Sequence, residues 1–462
     1  MFMQKQYEEA CQLVKNSRSI QIVTHIDADG LSAGGIISKA LKRQGKDFNV
    51  VPLASISKKS VANLEPDELN IFTDLGSGNL NVLAEKFRKE KTIILDHHQV
   101  HGEAWKGLVH VNPCLKGLDG SREVSGAGLS YFLAKAMDKE NIDLSGLAIV
   151  GAVGDIQNFW GKLEGINTEI LKDAIDEKVL EMETDLLLYG RHTRPVYKSL
   201  QYFTDPFVPG ISNNESGSIS LLQALNIPLK EGDLWRAAID LKHEERQKIT
   251  SELIQRAMEK LPPELMAHIP ELFVGDHYTN VREDDRTELK GVTEFSTCLN
   301  ATGRNRRPEV GLRIAEGKRG KYYDSLMSLL RKHRQNIAKG LNFVEENGIK
   351  VGPLGYAQYF DAGEEIASNI IGTVAGMSLA GENRDPYKPM LGFSMTSGGY
   401  KISARCSRVL VLQKIDMANS LRVAAESFGG FGGGHSVACG GFIPSNDIEK
   451  FVERFERSMM KK

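Results

Sequence analysis

The chain has 462 residues, of which 41% are hydrophobic and 26% charged, and its formal net charge is −2. This length predicts two or three domains, and the balanced charge excludes nucleic-acid binding through a uniformly basic surface, so any such binding must use local basic patches. No apolar run reaches the roughly 18–20 residues that span a bilayer, and the N-terminus lacks the apolar core of a signal peptide. The five scattered cysteines have no CxxC spacing. These features predict a cytoplasmic protein without disulfides or membrane association.

Residues 19 to about 160 alternate short β-rich runs with helical stretches, after an amphipathic N-terminal helix. The predicted strands are SIQIVTH, DFNVVPL, LNIFTDL and KTIILDHH, and the predicted helices are LSAGGIISKALKRQG and NLNVLAEKFRKE. Such alternation is typical of a doubly wound, mostly parallel sheet. In a sheet of this kind, ligands bind at the carboxyl ends of the strands.

The middle of the chain is predicted to be mainly helical. Residues 145 to about 200 are predicted to be largely helix, and the loop SNNESGS at 212–218 marks a domain boundary. Two long helices are expected after it, over Glu231–Leu261 and Tyr322–Asn347, the second ended by Gly348.

The α/β pattern returns from about residue 352. Strands near MLGFSMTS and GYKISARCS lie between predicted helices near Ala362–Leu379 and Ala418–Ser427, and a glycine-rich loop follows. The predicted fold is α/β, with an N-terminal parallel-sheet domain, a helical insertion and a smaller C-terminal α/β domain. The predicted domains are a catalytic domain at 1–214, the insertion at 215–290, a connecting segment with a long helix at 291–351, and the C-terminal domain at 352–462.

Acidic and histidine residues follow four apolar segments, at the point where each predicted strand or helix ends. They are His25, Asp27 and Asp29 in HIDADG, then Asp74, then Asp96, His97 and His98, and finally Asp155. Alternate residues of an extended segment share one face, and an unpaired charge after the apolar AIVGAVG would be costly. Helix capping, an Asx-turn or a solvated strand end would each account for one group alone. Together the groups predict a site for two divalent metals.

Two cations roughly 3.5–4 Å apart bind one phosphate oxygen jointly, activate a water and stabilise an in-line displacement. A carboxylate shared between them is the usual bridge, and Asp74 is the best candidate because its strand is predicted to be central. The mixture of imidazole and carboxylate ligands favours Mn²⁺, with Mg²⁺ as the alternative. The predicted chemistry is therefore metal-assisted hydrolysis of a phosphate ester.

The motifs HIDADG, FTD, DHH and the later GD resemble those of the DHH phosphoesterase superfamily, and GGFGGGHSVACGG at 429–441 resembles the GGGH motif of the DHH-associated domain. The length, the LNATGR segment and the middle insertion are most similar to archaeal RecJ-like single-strand exonucleases, including the GINS-associated nuclease. The resemblance implies specific roles: His25 and Asp27 at one metal, Asp29, His97 and Asp155 at the other, Asp74 bridging, His98 facing the scissile phosphate, and Asp96 orienting its neighbours or adding a ligand. A related replication factor of the eukaryotic helicase has degraded motifs and is a scaffold, whereas the motifs of this chain are intact.

The same resemblance implies a substrate-binding set in the C-terminal domain, across a cleft from the metals. Its members are Gly432, Gly433, Gly434, His435, Arg405 and Arg408, where glycine backbone amides and arginine forks suit phosphate. Basic clusters in ATGRNRRPE, KRGKYY and RKHR favour a track for single-stranded bases, although a solvated helix face is the simpler interpretation of RKHR. The insertion at 215–290 is expected to dock a GINS-type partner or to cover the substrate channel.

The predicted function is that of a Mn²⁺- or Mg²⁺-dependent exonuclease in DNA replication or repair. It would hydrolyse single-stranded DNA to mononucleotides, with single-stranded RNA as a further candidate substrate. No residue fixes the direction of digestion, and 5′→3′ is the favoured one. The alternatives are a phosphodiesterase for short RNA or cyclic dinucleotides, an inorganic pyrophosphatase, and a replication scaffold with little activity.

Overall fold

The computed structural model describes residues 3–379, 381, 384–444 and 446–460. The chain forms two compact units that interleave along the sequence. The first unit comprises Met1–Asp185 and Gly275–Leu330, and the second comprises Leu186–Val274 and Arg331–Lys462. The predicted boundaries at 215, 291 and 352 divide the chain into consecutive domains. The first unit, in contrast, is built from two separated stretches of sequence.

The first unit contains a five-stranded parallel sheet with the order β2-β1-β3-β4-β5. All five residues of the third strand are buried, as expected where helices cover both faces of a parallel sheet. The strands are β1 Ser19–His25, β2 Asp47–Leu53, β3 Leu69–Thr73, β4 Lys91–Leu95 and β5 Leu108–Val111. The first four lie where the apolar runs predict them, and the parallel sheet is confirmed.

Helices pack on both faces of this sheet over two apolar cores. Along Met1–Asp185 they are α1 Gln4–Asn16, α2 Ala28–Arg43, α3 Lys58–Ala62, α4 Leu80–Phe87, α5 Gly126–Met137, α6 Ser145–Gly154 and α7 Asn167–Asp176. A further strand, β6 Leu180–Leu186, pairs with β9 Val274–Asn280. The prediction of mainly helix over 145–200 is therefore wrong at β6, where pairing with a distant strand replaces the helix and the middle of the segment is exposed.

The segment 186–274 is helical with one small hairpin and has its own apolar core. Its elements are α8 Val196–Gln201, α9 Glu215–Ala224, β7 Lys230–Glu231, β8 Leu234–Trp235, α10 His243–Met258 and α11 Ile269–Phe273. The predicted helix over Glu231–Leu261 is wrong in its first part, because Gly232 takes a positive φ of 59° and turns the hairpin.

The chain then returns to the first unit through β9 Val274–Asn280, α12 Val292–Arg304, α13 Pro308–Ala315 and the start of α14 Lys321–Asn347. Gly348 follows α14 with a φ of 77°, which confirms the predicted stop signal. The remainder of the chain forms a six-stranded sheet with the order β10-β11-β12-β13-β15-β14. These elements are β10 Lys350–Val351, β11 Gln358–Asp361, α15 Ile371–Met377, β12 Met390–Thr396, β13 Gly399–Arg405, α16 Arg408–Leu412, α17 Met417–Ser427, β14 Phe431–His435, β15 Ala438–Ile443 and α18 Ile448–Met460.

Two C-terminal predictions need correction. The glycine-rich segment expected to be a loop is strand β14, because its backbone pairs in register with β15. The helix expected near Ala362–Leu379 is confined to α15, since Gly363 takes a φ of 49° within a turn. No described helix is both long and apolar enough to span a bilayer.

Candidate metal centre

The carboxyl end of β1 places three of the predicted ligands at the start of α2. Asp27 is the N-cap of α2, where its Oδ1 accepts a hydrogen bond from Gly30 N at 3.0 Å. Its Oδ2 lies 2.8 Å from His25 Nδ1. The capping and metal-ligand interpretations of Asp27 are therefore compatible, because a different oxygen serves each one. Gly30 is required by this turn, since a Cβ there would lie 2.5 Å from the His25 carbonyl oxygen.

Asp29 is buried and anchored to the N-terminus of α5. Its two carboxylate oxygens accept hydrogen bonds from Gly126 N at 2.7 Å and Ala127 N at 3.0 Å. Ser125 caps the same helix, so the N-terminus of α5 binds a carboxylate of its own chain. Burial raises the pKa of Asp29 well above its ordinary value, and the charges of Asp74 and Asp155 act in the same direction.

Asp74 lies at the centre of the cluster, directly after β3. Its Oδ1 is 3.2 Å from His97 Nε2, and its Oδ2 is 3.3 Å from His25 Nδ1. The side chain is 1% exposed, and the backbone has a positive φ of 58°, a conformation that Asp and Asn tolerate better than most residues. The left-handed turn at the strand end thus directs one carboxylate toward both histidines.

His97 is held by a backbone contact that orients its ring. His97 Nδ1 donates to Gly120 O at 2.7 Å, which leaves Nε2 as the atom that faces the carboxylates. That Nε2 is 3.6 Å from Asp29 Oδ2 and 3.5 Å from Asp155 Oδ2. Burial lowers the pKa of His97, but the surrounding carboxylates outweigh burial and hold it well above its ordinary value.

Asp96 orients His98. One oxygen of Asp96 accepts from Ser77 N at 2.7 Å, and the other accepts from His98 Nδ1 at 2.7 Å. The side chain of His98 is 49% exposed. Burial lowers the pKa of His98, but the hydrogen bond to Asp96 outweighs it and raises that pKa to about 9. Of the two roles considered for Asp96, this geometry favours orientation over metal ligation.

The residues fit a metal centre. Two groups of potential ligand atoms share Asp74, one with His97 and His98 and the other with His25 and Asp27, and within each group the atoms lie within 4.8 Å of one another. Asp74 belongs to both groups, as a bridging carboxylate would. Burial and the neighbouring carboxylates raise the pKa of Asp29 and so disfavour its charged form, and a bound cation would offset both effects. Imidazole nitrogens with carboxylate oxygens suit Mn²⁺, and the carboxylates also suit Mg²⁺.

Sequence reasoning missed a polar network beneath Asp96. Ser77 Oγ is 2.8 Å from His110 Nε2 and accepts from Asn112 Nδ2 at 2.8 Å. Asn112 also donates to His98 O at 2.9 Å. The signal was available, because β5 carries a histidine within an apolar run and an asparagine directly after it.

A second missed contact comes from α12. Asn300 Oδ1 accepts from Ala28 N at 3.0 Å, and a Cβ at Gly303 would lie 2.1 Å from Ile26 O. Burial lowers the pKa of Arg304, and the charge of Asp27 opposes that shift. Arg304, which belongs to the basic segment ATGRNRRPE, therefore lies near Asp27, one of the predicted metal ligands.

In the second unit, the predicted substrate-binding residues lie on adjacent strands. His435 pairs with Ala438, which pairs with Arg405, so the three form one row across β14, β15 and β13. Arg405 Nη1 donates to Cys439 O at 3.2 Å. Gly432, Gly433 and Gly434 form the centre of β14, and a Cβ at Gly433 would meet no described atom within 4 Å. The sheet is thus open above Gly433.

The guanidinium of Arg408 donates its hydrogen bonds to groups of its own chain. It donates to Asp205 Oδ2 at 3.1 Å, to Asp205 O at 2.6 Å and to Leu272 O at 2.6 Å. The residue is 8% exposed. These contacts join α16 to the helical segment of the same unit. The donors of Arg408 are thus used within the fold, which favours Arg405 over Arg408 for contact with a substrate.

Three family models match the chain in order. They are the DHH family N-terminal domain at residues 19–152, the DHH-CID domain at 188–268 and the DHHA1 domain at 354–461. The chain therefore contains a DHH family N-terminal domain, a DHH-CID domain and a DHHA1 domain. These domains support a phosphoesterase-type function.

Among particular relatives, an uncharacterised protein of Methanocaldococcus jannaschii is 28% identical over 95% of this chain and 92% of its own length. RecJ of Thermus thermophilus in complex with Mn²⁺ has a TM-score of 0.60 and 18% identity, and its match covers all of this chain but 55% of that RecJ. CDC45 of Entamoeba histolytica has a TM-score of 0.64 at 13% identity, over 99% of both chains. At these identities the two structures establish a shared fold.

Proposed function

We propose that the protein is a metal-dependent exonuclease that hydrolyses single-stranded DNA, and single-stranded RNA as a second substrate, to mononucleotides. The observation that carries the proposal is the position of Asp74, whose Oδ1 faces His97 and whose Oδ2 faces His25. A bridging carboxylate of this kind supports a centre with two divalent cations, Mn²⁺ in preference to Mg²⁺.

Cations bound there would activate a water and stabilise the charge that develops on the phosphate. The chain's own residues prepare the site for this. Gly120 fixes the ring of His97, and Asp96 fixes Nδ1 of His98. Because the pKa of His98 is raised to about 9, its imidazole keeps a proton at neutral pH. We infer that His98 Nε2 donates that proton in a hydrogen bond to a phosphate oxygen.

Strand binding is assigned to the second unit, at Arg405, His435 and the glycines of β14. Glycines allow a phosphate to approach the backbone closely, and the guanidinium offers a forked donor. The segment 215–290 is proposed as the docking surface of a GINS-type replication partner. A role in DNA replication or repair and 5′→3′ digestion complete the proposal.

The test is digestion of end-labelled single-stranded oligonucleotides with Mn²⁺ by the wild type and by Asp74→Asn. Asparagine also tolerates the positive φ at this position, so the fold is expected to persist. Activity is expected to fall by about a thousandfold, equivalent to several kcal/mol of lost transition-state stabilisation. Asp176→Asn is the matched control, because Asp176 lies on α7 in an exposed ion pair with Lys172.

Three comparisons separate the alternatives. Strands labelled at the 5′ or the 3′ end give the direction, a series of lengths down to dinucleotides tests a preference for short RNA, and phosphate release tests pyrophosphate as a substrate. A wild-type protein that leaves every strand intact in Mn²⁺ would contradict the proposal.

A further inference from the structure

Ile156 has an unusual backbone beside the metal centre. It directly follows Asp155 and has a φ of 60°, a left-handed conformation that is a genuine outlier for a β-branched residue. The residue is nevertheless 43% exposed. Strain of this kind persists where the surrounding structure imposes it, and it clusters at functional sites.

The buried side chain of Gln157, a residue that is 3% exposed, fixes the turn that carries Ile156. Gln157 Nε2 donates to Gly120 O at 2.9 Å, and its Oε1 accepts from Asn167 Nδ2 at 2.6 Å. The same Gly120 carbonyl accepts from the ring of His97. One backbone carbonyl thus links the turn to a predicted metal ligand, and the position of Ile156 is fixed relative to the centre.

Two aromatic residues follow Ile156 in the same turn. The rings of Phe159 and Trp160 lie 4.5 Å apart at 70°, and both residues are partly exposed. The turn is closed by Gly161 N, which donates to Asn158 O at 2.9 Å. Within six residues after Asp155, the chain therefore presents an aliphatic side chain and an aromatic pair. A single exposed isoleucine is ordinary, but burial does not explain one held in a strained conformation.

We propose that Ile156, with Phe159 and Trp160, forms the subsite for the nucleobase of the nucleotide whose phosphate lies at the metal centre. The inference rests on the proposed function and extends it. A base presents a flat apolar face that packs on aliphatic and aromatic side chains regardless of sequence. The subsite therefore selects nucleotides over inorganic phosphate chains, which have no apolar part, and it tolerates all bases.

The test compares an ordinary single strand with one that carries an abasic nucleotide at each end, so that the direction of digestion does not matter. Two variants remove the apolar side chain without opposing the backbone: Ile156→Gly, because glycine takes positive φ freely, and Ile156→Asn, because asparagine tolerates it. Lys178→Gly is the matched control, since Lys178 is exposed, has a φ of 52° and lies outside the turn that carries Ile156.

The wild type is expected to show a kcat/KM about tenfold higher for the base-containing strand. Both Ile156 variants should lower this ratio severalfold, because they remove one of the three side chains of the subsite, and Lys178→Gly should keep it. Fluorescence anisotropy with labelled strands in EDTA should show the same pattern in affinity, which gives a readout independent of turnover. Thermal unfolding of both variants should be no lower than that of the wild type.

The outcomes separate the two proposals. No cleavage of any strand by the wild type overturns the proposed function and this subsite with it. Cleavage with a wild-type ratio in both Ile156 variants overturns the subsite alone, as does a wild-type protein that does not distinguish abasic ends in either assay.

Discussion

Gly126 shows how closely backbone and ligands are packed at the residue scale. A Cβ at this position would lie 2.6 Å from Asp74 Cβ and 3.0 Å from Asp29 Oδ2. The amide of Gly126 also donates to Asp29. Gly126 thus sets the distance between two predicted ligands.

Gly126→Ala is therefore expected to displace Asp74 or α5. Overpacking of this kind costs about 1–3 kcal/mol of unfolding free energy, and disturbed orientation of ligands lowers metal affinity by about 10–100-fold. Denaturant unfolding and calorimetric titration with Mn²⁺ measure the two effects. Gly78→Ala is the control, because a Cβ there meets its nearest atom at 3.8 Å. Equal Mn²⁺ affinity in both variants would contradict the argument.

The predicted ligands were recognisable because each follows an apolar run whose end the sequence marks. His25, Asp74 and His97 come from three neighbouring parallel strands, and the carboxyl ends of such strands meet at one edge. Asp96 was expected to orient its neighbours, but the group that orients His97 was not recognisable. Gly120 acts through its carbonyl, and a backbone acceptor leaves no signature in residue type.

At the scale of elements, strands were predicted correctly where the segment is apolar and buried. They were missed where the strand forms only through pairing with another strand. The buried, apolar β1 was predicted to the residue. The glycine-rich β14 has low strand propensity, and it is a strand only because β15 offers a partner in register. Distant contacts of this kind cannot be read from a local pattern.

The open surface of β14 leads to a prediction for Gly433→Ala. No described atom lies within 4 Å of a Cβ at this position, so the melting temperature should stay within about one degree of wild type, because nothing in the fold is displaced. If a strand's phosphate lies over this glycine, the added methyl should raise KM for oligonucleotides by about tenfold with little change in kcat. Steady-state kinetics on a labelled strand measures both constants. A wild-type KM would show that the strand binds elsewhere.

The start of α10 depends on an ion pair that makes stability pH-dependent. Arg236 donates to both oxygens of Glu245, at 3.0 and 2.6 Å, and Lys242 N donates to Glu245 at 2.8 Å. The hydrogen bonds from Arg236 lower the pKa of Glu245 below its ordinary 4.5, and burial opposes them. Because the folded pKa is depressed, this stabilisation is present above pH 4.5 and is lost as pH falls through the folded value.

Glu245→Gln should therefore lower the unfolding free energy by about 1–3 kcal/mol at pH 7. The difference from wild type should shrink below pH 4.5, as measured by denaturant unfolding at a series of pH values. Glu252→Gln on the same helix is the control, since its ion pair with Arg256 is about one-third exposed and is worth roughly 0–1 kcal/mol. A difference that stays constant down to low pH would contradict the assignment.

At the scale of the molecule, the interleaved units explain why domain boundaries are difficult to read from this sequence. The stretch Gly275–Leu330 returns to the first unit, where α12 supplies Asn300 to the start of α2. That contact spans 272 residues, so composition along the chain gives no indication of it. The metal centre consequently depends on two separated stretches of one unit.

This arrangement predicts that metal binding stabilises the two units unequally. The predicted ligands all lie in Met1–Asp185, and a ligand that binds only the folded state stabilises it by about 2.7 kcal/mol at a hundred times its Kd. Hydrogen exchange in Mn²⁺ against EDTA should therefore show added protection at the ends of β1, β3 and β4 and at the start of α5. It should also show protection in α12, through Asn300, and little change in β14 and β15. Asp74→Asn should abolish the difference, whereas equal protection of both units would show that the cations act outside this cluster.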